Sequence, residues 1–169
     1  MTESTATLFA RFYFRPLTPT QYYNEGFKHK DLRYSGDDNA NVPVPIFLLF
    51  DLSKLLSNSE VEFSEFSQAG HGVAKQQGEE AFGKLEFKKI YSNGYVDDKT
   101  RKYRHAEILY PNSYTIDDSL SVILCRNDVE KATLMTLLKK KDNKSYYKYK
   151  DKIKIYSLVA YLIIFKTAE

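Results

Sequence analysis

The chain has 169 residues, 43% of them hydrophobic and 28% charged, with a formal net charge of +3. This describes one globular domain with a sizeable core, and excludes a disordered chain, a fibre and a disulfide-stapled scaffold. The one cysteine, Cys125, ends the run Ser121-Val122-Ile123-Leu124-Cys125. It reads as a core thiol. The polar first residues carry no basic-then-apolar leader, and the longest apolar run, residues 158–165, is too short to span a bilayer. The expectation is a cytoplasmic protein without a membrane partner.

Residues 7–14 read as a strand, ended by Arg15-Pro16, with Pro19 as a second break. Residues 27–41 read as a loop. The apolar run 44–50 has strand length, and Asp51 is placed to cap a short helix through Leu56. Gly70-His71-Gly72 marks a tight turn. Residues 79–85 read as a short helix and 85–91 as a strand or turn. Asn93-Gly94 and Asp97-Asp98 mark a loop running to about Arg104. Residues 105–110 read as a strand stopped by Pro111.

Residues 120–125 form another strand. Asn127 then caps a helix, with Glu130 in the capping-box position. Val129, Leu134, Leu137 and Leu138 supply its buried side, and residues 139–141 put lysines at its C-terminal end. Two final strands are expected near 153–156 and 158–165. The mixed order gives an α+β class, one domain with a central sheet of about six strands and a few flanking helices.

Charge is unevenly spread. Lys139, Lys140, Lys141, Lys144, Lys148, Lys150 and Lys152 crowd into one stretch, and Arg101, Lys102 and Arg104 form a second basic group. Cations interleaved with tyrosines suit a single-stranded nucleic acid, with ammonium groups for phosphates and rings for bases. A solvated basic face is the alternative.

Three histidines and one cysteine at no ligand spacing give no metal site. Neither a Walker loop nor a GxGxxG turn occurs. One segment stands apart: Arg101-Lys102-Tyr103-Arg104-His105-Ala106-Glu107-Ile108-Leu109. A basic loop leads into a strand whose first acid is followed by apolar residues. Glu107 is either that strand's solvent-side residue or a catalytic carboxylate.

This segment resembles the basic-basic-x-Arg-x-Ala-Glu-x-Leu motif of the DarT-type DNA ADP-ribosyltransferases. Residues 12–22, Phe-Tyr-Phe-Arg-Pro-Leu-Thr-Pro-Thr-Gln-Tyr, are similar to that family's Phe-Tyr-Phe-x-Pro-x-Ser-Pro-Met-x-Tyr block. Residues 66–72 resemble its Phe-Thr-Asp-Gly-His segment with one extra residue. The order and rough spacing agree over about residues 9–125.

The resemblance implies an ADP-ribosyltransferase-like fold and transfer of ADP-ribose from NAD to a base, thymine, in single-stranded DNA. It implies Glu107 as the catalytic residue and Tyr13, Tyr22 and His71 at the NAD site. Lys102, Tyr103 and Arg104 would hold the nucleic acid. No metal is implied. A toxin-like role and a macrodomain antitoxin partner follow from the same resemblance. The family's N-terminal His-x-Thr-like element and arginine have no counterpart between Met1 and Ala10. The chain is accordingly expected to be N-terminally short on the NAD side. A catalytically inactive nucleic-acid-binding domain is the second reading.

Overall fold

The computed structural model describes residues 8–24, 26, 29–33, 35, 46–70, 72–116 and 119–156. The expected strand at 158–165, residue His71 and most of the expected loop at 27–41 lie outside them. Six strands occur among the described residues, divided into two sheets of three. The first sheet has the order β1 (Phe9–Tyr13), β4 (Glu107–Pro111), β3 (Glu62–Ser64), all antiparallel. The second has the order β2 (Phe47–Phe50), β5 (Leu120–Cys125), β6 (Ile153–Ile155). There β2 pairs antiparallel with β5, and β6 pairs parallel with it. The class is α+β, as the mixed order of elements indicates.

Strand alternation sorts the first sheet into two faces. Phe12, Phe14, Phe63 and Ile108 enter one core with Leu55, Leu85 and Ile90. Edge-to-face rings knit that core to the rest: Phe12 meets Phe50 at 5.0 Å and Tyr114 at 5.3 Å, and Phe63 meets Phe82 at 5.4 Å. On the opposite face the register lays Tyr13, Glu107 and Ser64 in one cross-strand row. Arg11, Leu109 and Glu62 form the next row.

Short helices fill the connections. Proline at the first position starts α1 (Pro19–Asn24). Asp51 caps α2 (Leu52–Leu56) by accepting from the backbone N–H groups of Ser53 and Lys54. Then follow α3 (Glu79–Gly83) and α4 (Phe87–Ile90). Of the segment 85–91, expected as a strand or turn, Phe87–Ile90 form a single helical turn, from which Phe87 and Ile90 reach the core. Residues 98–103 form α5 (Asp98–Tyr103) rather than a loop, since Asp97 accepts the Thr100 N–H at 2.8 Å and closes its first turn.

The second core lies beneath α6 (Asp128–Lys141), where Leu134, Met135 and Leu138 pack on Leu120, Ile123 and Ile153. Asn127 caps α6 as its position predicts, and Glu130 reaches back to the Arg126 N–H at 2.8 Å. Val129 and Leu137 do not join the buried side; both are exposed. The stripe that packs is the narrower set Leu134 and Leu138, one turn apart. Asp142 ends α6 and caps α7 (Asn143–Tyr149). Cys125 is fully buried, and burial pushes its thiol pKa up, as suits a core position.

Candidate active site

Among the described residues, β1 and β2 are edge strands of their sheets. A cleft of about 880 Å³ lies between them, lined on one side by Arg11, Phe12 and Tyr13 and on the other by Leu49 and Phe50, with Asp51 beside them. Its volume falls in the range of small-molecule sites. A second, largely apolar hollow of about 310 Å³ adjoins it at Leu48 and is lined chiefly by residues of β5 and α6, with Tyr149 beside them.

Glu107 opens β4 and is 0% exposed. A buried carboxylate needs a charged partner, and Arg11 supplies it. Arg11 lies diagonally across the β1–β4 ladder from Glu107, within reach of a long side chain. Its Nε donates to Oε2 and its Nη2 to Oε1, both at 2.6 Å. This two-pronged bond is the geometry that a guanidinium and a carboxylate share. It also raises the Arg11 pKa, chiefly through the hydrogen bond to Glu107. Arg11 remains 31% exposed at its side chain. Glu107 does not itself line the cleft; Arg11 does. One arginine thus covers the carboxylate and faces the cavity.

Tyr13 sits directly across from Glu107 and lines the cleft, so it is not a core ring. Its hydroxyl lies 3.5 Å from Thr20 Oγ1, which is 3.4 Å from His105 Nδ1. Burial holds the His105 pKa below the usual imidazole value, against an opposing pull from Glu107. Arg11, Thr20 and His105 therefore join Tyr13 and Glu107 in one cluster. The contacts of Arg11 and Thr20 span 96 and 85 residues, so nothing in one dimension pairs them with Glu107 and His105.

Tyr22 stands apart, exposed on α1 with its ring 6.0 Å from Tyr23. It does not line the cleft. His71 lies outside the described residues.

The three residues expected to hold nucleic acid take different places. Lys102 is exposed on α5. Tyr103 is half-buried, with Phe66 edge-on at 4.8 Å and the Lys89 ammonium 4.8 Å from its ring. Its ring is therefore engaged in packing. Arg104 turns inward, donating to the Gly94 carbonyl at 2.8 Å and approaching Ser92 Oγ at 3.4 Å. It holds the turn in which Gly94 adopts φ +71°, a conformation that glycine adopts without strain. Next to Gly94, Tyr95 is 96% exposed. It is the open ring beside α5, and Lys99 and Lys102 are the exposed lysines near it.

Among the described residues no group of three His, Cys, Asp or Glu side chains could hold a metal ion. No helix among them is long and apolar enough to cross a membrane.

Two three-stranded sheets with short helices in the connections form an ADP-ribosyltransferase-like fold. The chain belongs to the DarT family: the family described as "ssDNA thymidine ADP-ribosyltransferase, DarT" matches residues 2–157. It is similar to the structure of Thermus sp. 2.9 DarT in complex with NAD+ at a TM-score of 0.61 and 15% identity. That match covers 79% of this chain and 64% of that one. It is also similar to Thermus sp. 2.9 DarT in complex with ADP-ribosylated ssDNA, at a TM-score of 0.61 and 15% identity, over 79% and 61% of the two chains. The chain thus spans slightly under two thirds of the length of these structures. No curated protein matches it.

Proposed function

We propose that this protein transfers ADP-ribose from NAD to a base, thymine, in single-stranded DNA, with Glu107 as its catalytic carboxylate. The observation that carries this reading is the placement of Glu107: fully buried at the start of β4, beneath an arginine that lines the cleft. Family membership and the fold shared with NAD-bound and DNA-bound DarT structures support it.

The cleft fits a dinucleotide in chemistry as well as volume. Tyr13 offers an exposed ring to a flat group, and Arg11 offers a cation to a diphosphate. NAD supplies a ribose that becomes positively charged as its bond to nicotinamide breaks. Glu107 carries the fixed negative charge that stabilises such a centre, and burial strengthens its effect. Arg11 must release Glu107 for that role. An anionic ligand in the cleft is the kind of partner that draws a guanidinium away. A proton leaves the attacking base nitrogen, and Glu107, once released, can accept it. Single-stranded DNA is the apt substrate, because a ring nitrogen engaged in pairing is closed off within a duplex.

On this reading the protein is toxin-like and cytoplasmic, and a macrodomain antitoxin that removes the modification opposes it. The second reading is a catalytically inactive DNA-binding domain; the engagement of both Glu107 oxygens by Arg11 favours it. Mass spectrometry of an oligonucleotide incubated with protein and NAD separates the two. A gain of one ADP-ribose on thymine supports transfer. An unmodified oligonucleotide that still binds in a salt-dependent way supports the inactive domain.

A further inference from the structure

Residues 139–152 hold seven lysines and two aspartates. The rest of the chain is therefore formally net negative, and the positive charge of the protein is concentrated in this one segment. In the fold the segment becomes a corner: the end of α6, all of α7, and the 3-10 turn of Lys150–Lys152. It packs on the sheet β2-β5-β6, whereas Glu107 lies on the other sheet.

Three lysines elsewhere are paired with acids. Lys75 meets Glu62 at 2.6 Å, Lys84 meets Glu80 at 2.5 Å, and Lys89 meets Glu86 at 3.4 Å. At this corner, among the described residues, no carboxylate bridges Lys139, Lys140, Lys141, Lys144 or Lys150. The nearest acid in sequence, Asp142, is turned to cap α7, accepting from the Ser145 N–H at 2.6 Å and its hydroxyl at 2.8 Å. Lys144 and Lys148 stand four apart on α7, a like-charge pair that weakens an isolated helix. Tyr147, three residues from Lys144 and so on its face, is 65% exposed. The Lys150 ammonium lies 5.2 Å from its ring centroid, and that of Lys139 lies 6.0 Å from the Tyr146 ring. Tyr146 meets the Tyr147 ring edge-to-face at 5.3 Å, and the rest of that ring is open to solvent; cations without a bridging carboxylate around it complement a chain of phosphates carrying unpaired bases.

We propose that the α6–α7 corner is a second binding surface for single-stranded DNA, with Lys140, Lys141 and Lys144 on phosphates and Tyr147 stacked on a base. It would hold the strand beyond the nucleotide at the Glu107 site. The choice of DNA as the strand rests on the proposed function.

The test is fluorescence anisotropy of a labelled oligonucleotide of about 20 nucleotides, longer than one small site covers. NAD is left out, so an inability to transfer ADP-ribose does not affect the result. The variant Lys140→Ser/Lys141→Ser/Lys144→Ser should weaken binding about tenfold and reduce the slope of log affinity against log salt by about 2, at ~0.7 for each phosphate no longer neutralised. Tyr147→Ala should weaken single-strand binding about fivefold, within the range for one stacked base. Unchanged affinity and slope in the triple-lysine variant would overturn the proposal. So would a duplex bound as tightly as the single strand with Tyr147→Ala neutral. A chain that binds through these residues yet transfers nothing upholds the surface and removes the enzyme reading instead.

Discussion

Arg11 closes over Glu107 with two hydrogen bonds of 2.6 Å, one to each carboxylate oxygen. The partners differ sharply in environment: the glutamate is sealed, while the arginine keeps a face toward the cleft. The consequences of removing each are therefore unequal. Arg11→Ala removes both charged hydrogen-bond donors from a buried carboxylate and should cost about 1–3 kcal/mol of stability. Glu107→Gln keeps the shape, leaves only a partly solvated cation and should cost clearly less. Urea denaturation of the two variants checks this order; a Glu107→Gln variant less stable than Arg11→Ala would contradict it.

His105 should tie stability to pH. Its folded pKa lies below the usual imidazole value because of burial. The unfolded chain therefore binds more protons than the folded one in the window below about pH 6.5, so stability should rise with pH there. Asp51, Asp97, Glu130 and Asp142 also have lowered pKa values, from hydrogen bonds formed on folding, and add a loss of stability in the carboxylate range at lower pH. Comparison with His105→Asn isolates the imidazole. Unfolding midpoints across this window should show a shallower slope in the variant, and equal slopes would remove His105 as the cause.

The exposed and buried aromatic residues near α5 should separate in a binding assay. Tyr95→Ala should lower affinity for single-stranded DNA by about tenfold, the effect of losing one stacked base. Tyr103→Ala should chiefly lower the melting temperature, because its ring supports Phe66. Lys102→Ala should reduce the salt slope by about 0.7. If Tyr103→Ala leaves stability intact and abolishes binding, the roles of the two tyrosines are reversed.

Cys125 should resist a thiol reagent in the folded protein, since it is fully buried and its pKa is pushed up by burial. Reaction should become complete in denaturant. Rapid labelling of the native protein would contradict the packing of β5.

What was legible in one dimension follows from the range of each interaction. The caps at Asp51 and Asn127 could be read because a side chain there bonds backbone two or three residues away. Glu107 stood out as an acid set against apolar neighbours at a strand start. Arg11 did not, since its meaning depends on a register between strands 96 residues apart. The same holds for Thr20 and His105. Helix α5 reads as a loop because its glycine- and aspartate-rich entry resembles a turn until Asp97 closes it. Tyr103 and Arg104 lie in a motif whose residues look alike in one dimension, yet one packs inward and the other braces a turn. Tyr95, outside that motif, has the exposed ring.

Whether Glu107 performs the chemistry of an intact site is decided by transfer of label from NAD to a thymine-containing single-stranded oligonucleotide. The native chain and Glu107→Gln are measured at matched fold content. The native chain should transfer measurably, and the variant should lose at least about 10²-fold, the scale of removing one electrostatic stabiliser of a transition state. Equal transfer by the two proteins would show that Glu107 is not the catalytic carboxylate.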